Sequence, residues 1–199
     1  YYLQNLDNSN YTLYETDELT GTTDTTATAI IKSYDHFTYN ANTGTITGNI
    51  NGNGTLVLKV YYTRDSYSVT ATVNNDKAGS VTGSGTYKYD KEITVKATTK
   101  AGYTFLGWFD GSTVVSANEI YTLSVNKDIT LTAKWEANLN TINFNGNGNT
   151  SGEMSVMQIR THETANLTLN KFVKEGYTFK GWATSANGSV VYAQTATLT

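Results

Sequence analysis

Few side chains here come in types and spacings that carry chemistry, and the most conspicuous are aromatic. Gly102-Tyr103-Thr104-Phe105-Leu106-Gly107-Trp108 returns as Gly176-Tyr177-Thr178-Phe179-Lys180-Gly181-Trp182, with one position changed and a Lys two residues upstream of each copy, at Lys100 and Lys174. Exposed Trp and Tyr rings stack on sugars, so a carbohydrate platform is one reading of this pair. The other is interior anchoring. A module of this size has much surface and little volume, and one indole burying ~200 Å² at ~25 cal/mol/Å² contributes up to about 5 kcal/mol. That rivals the whole net stability of a small domain, so Tyr103, Phe105, Trp108, Trp135, Tyr177, Phe179 and Trp182 are read as structural anchors. Tyr2, Tyr61, Tyr87 and Tyr89 are the candidate surface contacts, since adjacent tyrosines on a strand point to opposite faces.

Other chemistry is harder to build. The two histidines, His36 and His162, lie far apart, and no cysteine is present, so neither thiolate nor clustered imidazole ligation is expected. The runs Asn51-Gly52-Asn53-Gly54 and Asn145-Gly146-Asn147-Gly148 lack the carboxylates of a calcium loop and read as turns. No Gly-x-Ser-x-Gly, glycine phosphate loop or His-Glu-x-x-His occurs, and no carboxylate pair is marked as sharing a cleft. Glu15, Asp17 and Glu18 read as a solvated acidic face. Lys59, Lys96 and Lys134 fall on strands where a Lys–Asn cross-link could form, although no triad is fixed. The expectation is a non-enzyme with no cofactor.

The elements that position these residues are strands. Of 199 residues 16% are charged and 12% aromatic; proline and cysteine are absent, and the net charge is −3. Turns must then come from Gly, Asn and Asp, while abundant Thr, Tyr and Val favour strands. The weak negative charge gives no field to gather nucleic acid, and no apolar run is long enough for a membrane helix. Ile93, Val95 and Ala97 alternate with polar residues, as do Ile129, Leu131, Ala133 and Trp135, the signature of strands buried on one face. Residues 163–171 read either as a strand or as one helical turn.

The period between the two heptapeptides, about 74 residues, is that of a small domain. The fold expected is mainly β: three small β-grasp-like modules in tandem, spanning 1–65, 66–136 and 137–199 and forming an elongated, stiff rod because the links are short. The chain opens in mid-strand, so it reads as a monomeric piece of something longer. The third module shows no counterpart of the Ile129–Trp135 closing strand.

At these motifs the chain resembles known repeats. The third module resembles the Listeria–Bacteroides repeat, or internalin B-repeat, through Ile142–Gly148, the Gly-Tyr-Thr-Phe-x-Gly-Trp core at 176–182 and the loop Ala183–Gly188. The second is similar to the divergent form of that repeat, through residues 102–108 and Leu131-Thr132-Ala133-Lys134-Trp135. The first resembles the mucin-binding-protein type of repeat, through Leu19–Thr23, Tyr34–Tyr39 and the strand Leu56–Tyr62. The resemblance implies a stalk or adhesive segment of a secreted or wall-attached protein of Gram-positive bacteria, without a reaction of its own. It implies surface glycans or proteins as partners, and through the first module a mucin-type glycan site as the alternative.

Overall fold

The computed structural model describes residues 1–199 and contains strands and turns but no helix. No helix is therefore long and apolar enough to cross a membrane. The chain is mainly β and is divided among several small sheets.

Residues 1–65 contribute β1 (Tyr2–Gln4), β2 (Tyr11–Leu13), β3 (Thr26–Thr28), β4 (Phe37–Thr45), β5 (Thr47–Asn49) and β6 (Lys59–Arg64). Four of these form a sheet in the order β2-β1-β6-β4, and β3 pairs with β5 alone. The opening and closing strands, β1 and β6, lie side by side in parallel, with Tyr2 opposite Tyr61 and Leu3 opposite Tyr62. Alternation sets the faces: Val60 and Tyr62 are buried, whereas Tyr61 is turned outward and half-exposed. The closing strand is shorter than the sequence pattern suggests. Leu56 and Leu58 precede it outside any strand.

Residues 66–137 contribute β7 (Ser66–Val73), β8 (Gly79–Thr82), β9 (Gly85–Lys88), β10 (Glu92–Thr99), β11 (Tyr103–Asp110), β12 (Thr113–Ser116), β13 (Ile120–Ser124) and β14 (Ile129–Ala137). One sheet has the order β12-β11-β14-β7-β9 and the other β13-β10-β8. Again the first and last strands are parallel neighbours, β7 against β14, with Val69 to Val73 opposite Ile129 to Ala133. The two periodic runs behave as their patterns demand: Ile93, Val95 and Ala97 are buried on β10, and Leu131, Ala133 and Trp135 on β14.

Residues 139–199 contribute β15 (Leu139–Ile142), β16 (Met157–Arg160), β17 (Ala165–Asn166) and β18 (Thr197–Leu198), in two antiparallel pairs, β15 with β16 and β17 with β18. Between them the chain is held by isolated bridges, Ser151 to Val173 and Trp182 to Tyr192. The segment 163–171 is not helical; Ala165–Asn166 pairs as a strand and Leu167 is buried.

The molecule divides into two compact units whose boundary runs through the second module. One comprises Tyr1–Val73, Val81–Ala97 and Gly107–Ala133, and the other Asn74–Ser80, Thr98–Leu106 and Lys134–Thr199. The buried residues of the former include Tyr62, Val69, Val95, Trp108 and Leu131; those of the latter are Ala78, Tyr103, Trp135, Ile159 and Leu167. No polar or charged residue is fully buried in either.

Candidate functional site

The repeated heptapeptide builds the same local frame twice. Gly102 and Gly176 turn at φ +85° and +76°, and the N–H groups of Tyr103 and Tyr177 donate to the carbonyls of Lys100 and Lys174 at 3.3 and 3.0 Å. Gly107 and Gly181 stand at φ +133° and +145°, where a Cβ would come within 2.7 Å of the Ser116 carbonyl oxygen and 2.6 Å of that of Tyr192. Glycine is required there because the returning strand lies against the backbone. Each following Trp then pairs with that strand, Trp108 with Ser116 and Trp182 with Tyr192. Each indole N–H donates to a carbonyl further along it: Trp108 to Glu119 at 3.1 Å, Trp182 to Gln194 at 3.4 Å.

The surroundings of the two copies differ. Tyr103, Trp108 and Trp135 are buried, and Phe105 packs on Trp135 at 5.4 Å between centroids. Trp135 itself donates to Thr99 Oγ1 at 2.7 Å. In the second copy Tyr177 is 74% exposed and Phe179 37%, so these two are not interior anchors as the sequence suggested. Trp182 is half-buried among Phe144, Phe172 and Phe179, lining an open cleft of about 1160 Å³ with Ile142 and Val190. The reason is topological: β11 is an inner strand between β12 and β14, and its Trp108 reaches the Glu119 carbonyl that also accepts from Ala97 of β10, whereas residues 177–181 pair with no strand.

Of the four candidate surface tyrosines, two share a face. Tyr2 and Tyr61 stack at 4.9 Å and 21° on the outer side of the first sheet, with Tyr11 edge-on to Tyr61 at 5.0 Å. The Lys59 ammonium sits 5.6 Å from the Tyr2 ring centre, and Asn40 Nδ2 donates to the Tyr11 hydroxyl at 3.0 Å. Tyr87 and Tyr89 are engaged within the fold. The Tyr87 hydroxyl donates to the Gly83 carbonyl at 3.1 Å, and Tyr89 stacks on His36 at 3.9 Å and 10°.

His36 is thus a packing residue. Its Nδ1 lies 2.8 Å from the Tyr67 hydroxyl, and the Arg64 guanidinium covers Phe37 and approaches Tyr89. Burial and the Asp65 and Asp128 charges push the Tyr67 phenol up. This cluster surrounds Asp65, the single residue between β6 and β7, whose N–H donates to the His36 carbonyl and whose carbonyl accepts from Tyr89. Lys91 pairs with Asp7 at 2.8 Å nearby.

One charged cluster escaped the sequence pattern. Lys32 pairs with both Glu15 and Asp17, the latter at 2.8 Å, and lies 4.2 Å from the Tyr1 ring centre. The acidic run is therefore a partnered surface, apart from Glu18. The hydrogen bonds from Lys32 hold both carboxyls below their usual range and raise Lys32 in turn. Tyr34 packs between Tyr1, Tyr14 and Tyr62. Burial raises its phenol, and so do the approach of the Glu15 carboxylate to its hydroxyl and the charge of that group, yet the two do not meet in full hydrogen-bonding geometry and the buried hydroxyl has no other partner. The separation in sequence between Glu15 and Lys32 hid this cluster, because no periodicity links two stretches that meet only in the fold.

Residues 69–139 match the model of the divergent InlB B-repeat domain, and residues 141–199 that of the Listeria-Bacteroides repeat domain. These segments are tandem internalin-type B-repeats. Among curated proteins, the chain is 34% identical over 93 residues to Internalin H of Listeria monocytogenes, covering 46% of this chain and 16% of that protein. It is 27% identical over 137 residues to a protein of Evansella cellulosilytica provisionally named a membrane protein, covering 67% of this chain and 20% of the relative. The chain thus spans a fifth or less of the length of these relatives. No solved structure matches.

Proposed function

We propose that this chain is a non-catalytic stalk segment of a bacterial surface protein, secreted or wall-attached, which spaces or presents adhesive regions. The observation that carries this reading is the way the B-repeats are strung. Single residues, Asp65 and Asn138, separate the closing strand of each module from the opening strand of the next, and aromatic rings and ion pairs pack around the first of these links. A one-residue link leaves little freedom to bend, which suits a spacer. The internalin relative supports a surface location. Antibody raised against the chain should label intact, unpermeabilised cells of the source bacterium, and external protease should remove the label. A label seen only after lysis would overturn the assignment.

A second reading is favoured by the outer face of the first sheet. Tyr2, Tyr11 and Tyr61, flanked by Lys59 and Asn40, present stacked rings beside hydrogen-bonding groups, the combination that recognises sugars. Together with the resemblance of residues 1–65 to mucin-binding repeats, it supports glycan recognition by this module. Saturable binding on a glycan array that disappears in Tyr61→Ala would establish it; an array without binding would remove it.

A further inference from the structure

We infer that the second module is a tension-bearing clamp, loaded in shear through the parallel pair β7/β14. The inference takes its biological setting from the stalk reading, but the measurement below acts on the molecule itself. If the stalk reading fails on cells, the clamp still stands or falls on its own test.

The chain enters the second module at Ser66, the start of β7, and leaves it at Ala137, the end of β14. These strands are neighbours, run the same way, and pair over five successive positions, Val69 with Ile129 through Val73 with Ala133. Tension on the chain pulls the start of one strand and the end of the other in opposite directions. The two must then slide past each other, and every ladder bond is loaded at once. The pair is central in its sheet, with β11 on one side and β9 on the other. It is closed on the inner face by the buried Val69, Leu131 and Ala133 and stitched on the other by the hydroxyls of Thr72 and Thr132 at 3.1 Å. Sliding by one residue would also turn each buried side chain to the wrong face.

The flanking modules carry weaker versions. In the first, β1 and β6 are parallel and adjacent in the same sense but pair over two positions only. In the third, the entering strand β15 pairs antiparallel with β16 and the leaving strand β18 pairs antiparallel with β17, so the strands at its two ends are not paired with each other. No ladder then joins the pulled ends to resist sliding. The chain should therefore yield in order, the third module first, the first next and the second last.

Because the chain has no cysteine, introduced cysteines give unique handles for single-molecule pulling of the full chain. Ser66→Cys with Glu136→Cys loads β7/β14 in shear, whereas Ser66→Cys with Lys127→Cys grips the same end of both strands and peels them. All three positions are exposed. The shear pair should rupture at a force several-fold above the peeling pair at the same loading rate. In end-to-end pulling of the unsubstituted chain, the last step should be the strongest, releasing roughly 220 Å, the length of residues 66–137 at about 3.5 Å each less the span of about one strand that the folded pair already covers. Equal forces in the two geometries, or a strongest step that is not the last, would overturn the inference.

Discussion

Trp108 and Trp182 hydrogen-bond from the same backbone frame to matching carbonyls, yet Trp108 is wholly buried and Trp182 is not. The heptapeptide therefore fixes where the indole points, and the strands that surround it, present for Trp108 and lacking for Trp182, decide whether the ring is covered. Substitution by alanine should separate the two effects. Trp108→Ala removes a filled volume from a closed core and should cost about 3–5 kcal/mol, seen as a shift of the main denaturation transition. Trp182→Ala, made in an open cleft, should cost less than half as much. Equal losses would mean that the cleft is closed in solution.

Gly107 tests the frame itself. Its φ of +133° and the approach of the Ser116 carbonyl leave no room for a side chain. Gly107→Ala must strain the backbone and push β12 outward, and should cost about 2 kcal/mol or more. Gly111 has nothing within 4 Å of a built Cβ, so Gly111→Ala meets only its left-handed turn and should cost about 1 kcal/mol. Chemical denaturation of both variants checks the ranking; reversal would show that the strand return is not what glycine serves.

Tyr34 offers a substitution that stabilises. Its ring is held by three tyrosines, while its hydroxyl is buried without a partner. Removing the oxygen keeps the packing and ends the desolvation cost, so Tyr34→Phe should gain about 1 kcal/mol. A lower melting temperature would reveal a bridging water or a bond to Glu15.

The link at Asp65 makes a further claim. If His36 and Tyr89 hold the first two modules together by their stacking at 3.9 Å, the losses in His36→Ala and Tyr89→Ala should not add. Aromatic pairs contribute about 0.5–1.5 kcal/mol beyond area burial, and a double-mutant cycle should return a coupling in that range. Additive losses would show that this stacking does not hold the link, leaving it to the Arg64–Tyr89, His36–Tyr67 and Lys91–Asp7 contacts.

What the sequence made legible, and what it hid, follows from the range of the interactions. Alternation over Ile93–Ala97 and Ile129–Trp135 is local, and both strands bury the expected face. The glycine turns of the heptapeptide are local as well. Exposure of Tyr177 and Phe179 is not, because it depends on a strand elsewhere in the chain. The same holds for Tyr89, which reads as a surface ring until His36 arrives from the preceding module. Lys32 is the extreme case, meeting Glu15 and Asp17 from a stretch with no shared pattern.

That cluster gives the pH prediction. Glu15 and Asp17 titrate below their ordinary range in the folded chain because Lys32 bonds to them. Their contribution is fully present above the unfolded carboxyl values, about 4, and is lost as pH falls through the lower folded values. Lys32 is raised, so its share is present below its unfolded value, about 10.4, and is lost only at higher pH. The three together should stabilise the folded state from about pH 5 to about pH 9. Lys32→Met keeps an unbranched side chain and deletes the charge, and with it the contact of the ammonium with the Tyr1 ring. The difference in melting temperature between the chain and this variant should be flat from about pH 5 up to the range where the Tyr1 α-amino group, lowered by burial and by the Lys32 charge, gives up its proton, shrink below about pH 4, and be reduced by added salt, since the groups are partly exposed. A difference that persists undiminished into strong acid would show that Lys32 acts through the Tyr1 ring and not through the carboxylates.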